Sequence, residues 1–451
     1  MSGAGEPRFV TGSTLRHVVV MTVAGSAGLL FMFLVDFIAL WWIGQLRDEQ
    51  LVAAVGFAWT IQFAAVSVGI GLMIATLALV SRALGRNDND GARRLATSAM
   101  VLTVGLQTAV AVLVLIFRRE ILAVSGAEGE TLEIGARYLA LSTPSLTVMA
   151  LSMVAAAVLR AKGEALQSMS VTLSAGAVSL VADPALIIWA GLGVDGAAYG
   201  VAVSRCVSAA VGFWMVARWH GLFGRPRWED IRATWVPFMA IAMPAVATQM
   251  STPFGNWVLT LAIAEHGDSA VAGWGVVTRL TVLAFGGIFA LSGAIGGIFG
   301  QNYGVGRMDR VAATYLDALK FCVVYTLVVW AALAAADGWM IRSFALSIEG
   351  AEVVRAFTRY AAGAFLFTGA LFVANSAFNN LDRPLWSTGF NWLRDGLLMY
   401  PTALLMGGWL GAAGVIYAQA VAGVIVGVVA AAAGWHYVKS LRGRVPVAAP
   451  G

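Results

Sequence analysis

Residues 50–99 (QLVAAVGFAWTIQFAAVSVGIGLMIATLALVSRALGRNDNDGARRLATSA) can be laid over residues 269–318 without a gap. In that register Val52 and Ala53 fall on Val271 and Ala272, Gly56 on Gly275, Gly85 on Gly304 and Asp90 on Asp309. Few residues are identical, but the layout is shared: a small-residue entry, a long apolar stretch, a glycine-rich exit, then arginine and aspartate. A duplicated apolar paragraph restricts the fold to two similar halves. Paired membrane halves are the sequence signature of carriers that rock one half against the other.

The surroundings of the repeat are lipid-like in composition. Hydrophobic residues make up 59% of the chain and charged residues 12%, against roughly 25% charged in soluble domains. The mean hydropathy is +0.81. Apolar runs of about 20 residues suffice to cross a hydrocarbon core of ~30 Å. Twelve such spans are expected, near 17–44, 51–82, 95–117, 134–158, 166–190, 194–217, 235–264, 270–299, 312–335, 356–379, 386–407 and 411–437. The fold class is therefore an all-α polytopic membrane protein. The period-two alternation of a membrane barrel is missing from these runs. The first run is too long for a cleaved signal and reads as the first span.

Polar residues 218–234 form the longest connection near the middle. They divide the chain into an N-terminal lobe (1–217), a cytoplasmic linker (218–234) and a C-terminal lobe (235–451), each lobe with six spans. Arginines and lysines concentrate in alternate connections: Arg82, Arg86, Arg93 and Arg94; Arg160 and Lys162; Arg218, Arg225, Arg227 and Arg232; Arg307, Arg310 and Arg383. Arg8, Arg16, Lys439, Arg442 and Arg444 at the two ends fall on the same side, whereas Arg47, Arg118, Arg119 and Arg342 fall on the other. The positive-inside rule places both termini in the cytoplasm of a cytoplasmic (inner) membrane. The pI near 9.4 follows from this topology and implies no nucleic-acid partner.

Ionisable groups within spans are the functional candidates. An acid at mid-bilayer costs roughly 2.5–3.5 kcal/mol and normally faces water or a partner. Asp36 sits in GLLFMFLVDFIALWWIG, and Asp183 in SVTLSAGAVSLVADPALIIWAG ahead of Pro184. Burial disfavours the charged form of a carboxylate and a neighbouring carboxylate adds to the penalty, so two acids in one lobe make a candidate proton site. Asp36 would serve equally as a helix–helix hydrogen-bond anchor, and the Asp-Pro pair equally as the shaper of a kink. Arg205, Arg279, Arg394 and Asp395 are further intramembrane charges; the arginines can also snorkel or tie helices together. Arg394 and Asp395 are sequence neighbours, pointing about 100° apart on a helix, and need not pair. Gln249, Asn256, Asn375, Asn379 and Asn380 would line a hydrated substrate path or act as interhelical glue.

Recognisable catalytic motifs are missing from the sequence. It has no phosphate-binding loop and no nucleophile elbow. The four histidines, at 17, 220, 266 and 436, lack zinc spacing. Cys206 and Cys322 lie within predicted helices and read as buried small hydrophobes. The chain is read as no enzyme and as needing no cofactor.

Several of these segments resemble the MATE (multidrug and toxic compound extrusion) family. They are Asp36 followed by LVAAVGFA, ALGRNDNDGARR with its counterpart GQNYGVGRMDR, VLRAKGEALQSM, VADPALIIWAGLGVDGAAYGVAVS, and the seventh span led by Pro244. The resemblance implies two pseudo-symmetric six-helix lobes and alternating-access export of organic cations or amphipathic compounds against protons or sodium. It places ion coupling in the N-terminal lobe, with Asp36 matching the acid of the first helix, Asp183 that of the fifth, and Tyr138 a nearby tyrosine. Ser179 stands where many members carry asparagine, and Val201 where some carry threonine. Both changes remove oxygen ligands useful to sodium, and a hard cation needs several; proton coupling is favoured. Acids that some members carry in the seventh and tenth helices are replaced here by residues such as Gln249 and Asn375. With Asn256, Arg279 and Asp395 these form the candidate substrate path, and Asp395 has no motif-based role. The expected partners are a small organic-cation or amphipathic substrate and the lipid bilayer, for a chain working as a monomer. A lipid-linked oligosaccharide flippase is the nearest rival; a channel or membrane enzyme is more remote.

Overall fold

The structure is a computed structural model and describes residues 7–44, 49–343 and 346–442. Arg47 and Arg444, assigned above to opposite sides of the bilayer, lie outside the described residues. Every regular element among the described residues is helical. The first half of the sequence gives α1 (Thr14–Gly44), α2 (Glu49–Gly85), α3 (Asn89–Ile116), the short α4 (Arg118–Val124), α5 (Gly129–Ser142), α6 (Ser145–Lys162), α7 (Ala165–Pro184) and α8 (Gly193–Trp214). The second gives α9 (Trp228–Ala264), α10 (Asp268–Gly304), α11 (Met308–Ser343), α12 (Ile348–Arg359), α13 (Phe365–Asn380), α14 (Pro384–Trp392) and α15 (Met399–Leu441). Among the described residues, eleven helical stretches are long and apolar enough to cross a bilayer, and the last, Pro384–Leu441, runs for 58 residues. It turns at Gly411, where φ is 63° and ψ −152°, and so supplies two crossings. The total is the expected twelve.

The sequence repeat is structural. Its two copies are the 37-residue helices α2 and α10, which begin and end at aligned positions. A second repeat emerges only from the fold. Gly193 and Gly411 both take positive φ at the entry to a final span. Three residues later, a Cβ on Gly196 would lie 2.5 Å from Leu186 O, and one on Gly414 1.9 Å from Met406 O. Only glycine allows the returning helix to lie this close to the turn before it.

The chain packs into two compact units. One is Ala27–Val246; the other joins the described residues up to Ser26 to those from Ala247 onward. The division falls within α1 and again within α9, at positions 220 residues apart (27 and 247). The connection 218–234 lies within the first unit. Each leading helix is preceded by a buried phenylalanine five residues before its start: Phe9 before α1 and Phe223 before α9. Phe9 is pinned in the second unit. Its N–H donates to Gln301 Oε1 at 2.9 Å, and its carbonyl accepts from Asn302 Nδ2 at 3.1 Å and Arg310 Nη2 at 2.8 Å. Phe223 packs in the first unit with Leu84, Ala92 and Ala96, and Gly224 N–H donates to Thr97 Oγ1 at 2.9 Å. The polar motifs after α2 and α10 are thus docking points for the two straps.

Proline and π-helical turns shape the spans that carry charge. Pro184 has no N–H to give the preceding turn, and Ala185–Trp189 continues as a π-helix. Of the two further π-helical segments among the described residues, Met215–Trp219 and Leu393–Leu398, the latter carries Arg394 and Asp395. Such segments recur at functional sites. Cys322 is buried as expected, but Cys206 is exposed. It falls on the outward stripe of α8 with Tyr199, Val203 and Phe213, a spacing that repeats every three to four residues and faces away from the bundle.

Candidate functional site

Charged residues lie among the apolar helices of each unit, each within a polar cluster. In the first unit Asp183 is 3% exposed near the end of α7. One turn earlier on the same helix, Ser179 Oγ donates to Asp183 Oδ2 at 2.5 Å. Asp183 Oδ1 is buried without a hydrogen-bond partner. Space for that oxygen comes from α8: a Cβ on Gly200 would sit 2.2 Å from it. A buried acceptor left open in this way is costly when ionised and is relieved by a proton.

Arg205, five residues beyond Gly200 on α8, organises the rest of the cluster. Its Nη2 donates to Gln62 Oε1 at 2.8 Å, and its Nη1 to Ser145 Oγ at 2.8 Å and to the Ser142 carbonyl at 3.4 Å. Gln62 in turn donates to Ser142 Oγ at 2.5 Å. These partners are neutral, so the guanidinium charge is not cancelled by direct contact. It acts electrostatically on Asp36 and on Tyr138, and both also feel Asp183. Asp36 itself is exposed at the edge of the cluster. Its neighbours Leu34, Phe37, Leu40 and Trp41 on α1 are exposed apolar side chains. The four residues expected to couple an ion, Asp36, Asp183, Ser179 and Tyr138, are therefore brought together, with Arg205 among them.

In the second unit a cavity of about 160 Å³ lies between α9, α10, the α12–α13 bend, the π-helical segment and α15. Arg394 and Asp395 face it. Helical spacing left their pairing open, and they do pair: Arg394 Nε meets Asp395 Oδ1 at 2.7 Å and Nη2 meets Oδ2 at 2.8 Å. The π-helical backbone changes the angle between adjacent side chains, and the long arginine stem folds back over it. Asp395 Oδ2 also accepts from Ser251 Oγ at 3.0 Å.

Of the expected substrate-path residues, Asn256 and Asp395 line this cavity, and Gln249, Arg279 and Asn375 do not. Arg279 is exposed and Gln249 half-buried. Asn375 is buried between helices, where its Oδ1 accepts from Asn391 Nδ2 at 3.0 Å; it acts as interhelical glue. Asn379 and Asn380 are likewise buried. Sequence reading passed over Gln62, Ser142 and Ser145 in the first unit and Thr278, Thr281 and Gln419 in the second. Gln62 carried a signal, as an amide inside the apolar run AWTIQFAAV. Gln419 lies at the counterpart of Val201 once Gly193 and Gly411 are aligned.

Twelve apolar helices in two like units, with charge buried in each, define a polytopic membrane transporter. The MatE family model matches residues 26–184 and 244–405. The chain belongs to that family, whose members are transporters and not enzymes. It is 25% identical to the FAD transporter of Shewanella oneidensis, over 92% of this chain and 93% of that one. It is 24% identical to the multidrug export protein MepA of Staphylococcus aureus, over 88% of each chain. A crystal structure of a mutant of the Vibrio cholerae MATE transporter VcmN superposes with a TM-score of 0.90 at 22% identity, covering 96% of this chain and 99% of that one. This last likeness concerns the fold.

Proposed function

We propose that the protein is a secondary antiporter of the cytoplasmic (inner) membrane, with both termini cytoplasmic. It exports amphipathic compounds or organic cations in exchange for protons, working as a monomer by alternating access. The observation that carries the reading is the cluster around Asp183, with an unpartnered buried oxygen, Asp36 at its edge and the uncancelled charge of Arg205. Protonation of Asp36 and Asp183 from outside removes charge from the pocket, lets α1 and α7 repack and lowers affinity for bound substrate. Deprotonation toward the cytoplasm resets the lobe.

A proton is the better fit than sodium. Ser179 is the only side chain hydrogen-bonded to Asp183 among the described residues, and Val201 offers no oxygen, whereas a dehydrated hard cation needs several. The names of the relatives, one a multidrug export protein and one an FAD transporter, support an amphipathic substrate. Export of a lipid-linked sugar would need free cationic side chains for pyrophosphate. The Arg205 guanidinium is held by Gln62 and Ser145, the Arg394 charge is balanced by Asp395, and Arg279 does not line the second-unit cavity.

The energetics constrain stoichiometry. Each elementary charge moved is worth ~2.3 kcal/mol per 100 mV, and each tenfold concentration ratio costs about 1.4 kcal/mol. One proton in for one monovalent cation out cancels the electrical part. Steep accumulation of a cation outside then needs a second proton, which two acids can supply. Proteoliposomes given either a proton or a sodium gradient of equal size test the reading. Ethidium and an uncharged flavin are expected to be exported on the proton gradient. Export driven by sodium alone would overturn proton coupling.

A further inference from the structure

The charge state of the second-unit cavity points to its ligand. Both oxygens of Asp395 are occupied, Oδ1 by Arg394 Nε and Oδ2 by Arg394 Nη2 and Ser251 Oγ. No free carboxylate is left to attract a cation. The Arg394 charge is answered by Asp395 at the same contact, so an anion would enter a buried site without net countercharge. What remains open is hydrogen-bonding capacity. Among the described residues, Arg394 Nη1 and the side-chain amides of Asn256 and Gln419 have no hydrogen-bond partner, and all three residues line the cavity. Aromatic rings also line the cavity: Phe289 and Phe372 lie 6.0 Å apart between ring centroids, and Phe365 lies 6.4 Å from Phe289, nearly perpendicular to it. Flat apolar faces beside a few fixed donors are the usual make-up of a small-molecule site.

We propose that this cavity binds uncharged planar heteroaromatic compounds whose edge carries carbonyl acceptors, seated with the carbonyl edge toward Arg394, Asn256 and Gln419 and the ring against the phenylalanines. That such compounds are exported rests on the antiport reading; that they bind here does not.

Equilibrium binding separates the two. The full chain in lipid nanodiscs, with no ion gradient, is titrated with three fluorescent probes. They are lumiflavin, which is uncharged; a carboxymethyl flavin, the same ring with one negative charge; and ethidium, a cation. Lumiflavin is expected to bind most tightly. Gln419→Leu is expected to weaken it about tenfold, in line with loss of one hydrogen bond to the ligand. Arg394→Gln alone strands a buried carboxylate and risks misfolding, so the paired Arg394→Gln/Asp395→Asn variant is used; it is expected to lose lumiflavin while keeping its melting midpoint. Tighter binding of ethidium or of the carboxymethyl flavin would overturn the proposal, as would lumiflavin binding unmoved by Gln419→Leu and by the paired variant. A failure of proton-driven export with these binding results intact would refute the antiport reading and leave the ligand class standing.

Discussion

Gly200 on α8 and Asp183 on α7 fit together as a socket and its occupant: a Cβ added to the glycine would sit 2.2 Å from the buried, unpartnered Oδ1 of the aspartate. Gly200→Ala therefore forces the carboxylate out of its position. Overpacking of this kind costs typically 1–3 kcal/mol, and about 1.4 kcal/mol is a factor of ten. Proton-driven export by Gly200→Ala is expected to fall about tenfold or more in proteoliposomes, with substrate binding in nanodiscs retained. Unchanged export would mean that the Asp183 carboxylate does not need this position.

Phe9 and Phe223 predict a symmetric stability effect. Each is nearly inaccessible, at 1% and 6% exposure, and each anchors the strap that leads into a crossing helix. Phe→Ala in a packed interior typically costs about 3–5 kcal/mol. Phe9→Ala is expected to lower the melting midpoint of the detergent-purified protein and to expose the segment around Gln301–Arg310 to protease. Phe223→Ala is expected to do the same around Arg82–Thr97. Wild-type protease patterns in both variants would show that the straps are ornamental.

His220, between the sixth and seventh spans, gives a pH-dependent prediction. Its Nδ1 receives Lys162 Nζ at 2.7 Å and its Nε2 reaches Gln167 Oε1 at 2.6 Å, an arrangement that requires the neutral ring protonated on Nε2. Burial, and then the positive charge of Lys162, push the imidazole below its ordinary value of 6.5. The folded protein then binds this proton less readily than the unfolded chain. Stability from this contact is complete above the ordinary imidazole pKa and is lost as pH falls below it. The midpoint of thermal unfolding is expected to drop between about pH 6.5 and lower values, and less steeply in His220→Gln. Equal slopes in the two proteins would remove His220 as the cause.

Much of the architecture was legible in the residues because lipid imposes a coarse code. Long apolar runs gave twelve spans, and the α2–α10 duplication could be read without a gap. Asp36 and Asp183 stood out because charge in such runs is rare. The straps were invisible, since nothing in GEPRFVTG marks Phe9 as buried 292 residues away from its partner Gln301. Sequence spacing left the Arg394–Asp395 pairing open, because nothing in the residues marks this stretch as π-helical. The Gln62–Arg205 link joins residues 143 apart, a distance that no local periodicity encodes. Polar glue and cavity lining also look alike in sequence: Asn256 and Asn375 were grouped together, and packing alone separates them.

Single neutralisation of each acid tests the central claim most directly. Wild type, Asp36→Asn and Asp183→Asn are reconstituted in proteoliposomes, and export is measured on an imposed proton gradient alongside equilibrium substrate binding. Loss of proton-driven export in both variants, with binding retained, is the predicted result. Undiminished proton-driven export in both would contradict it.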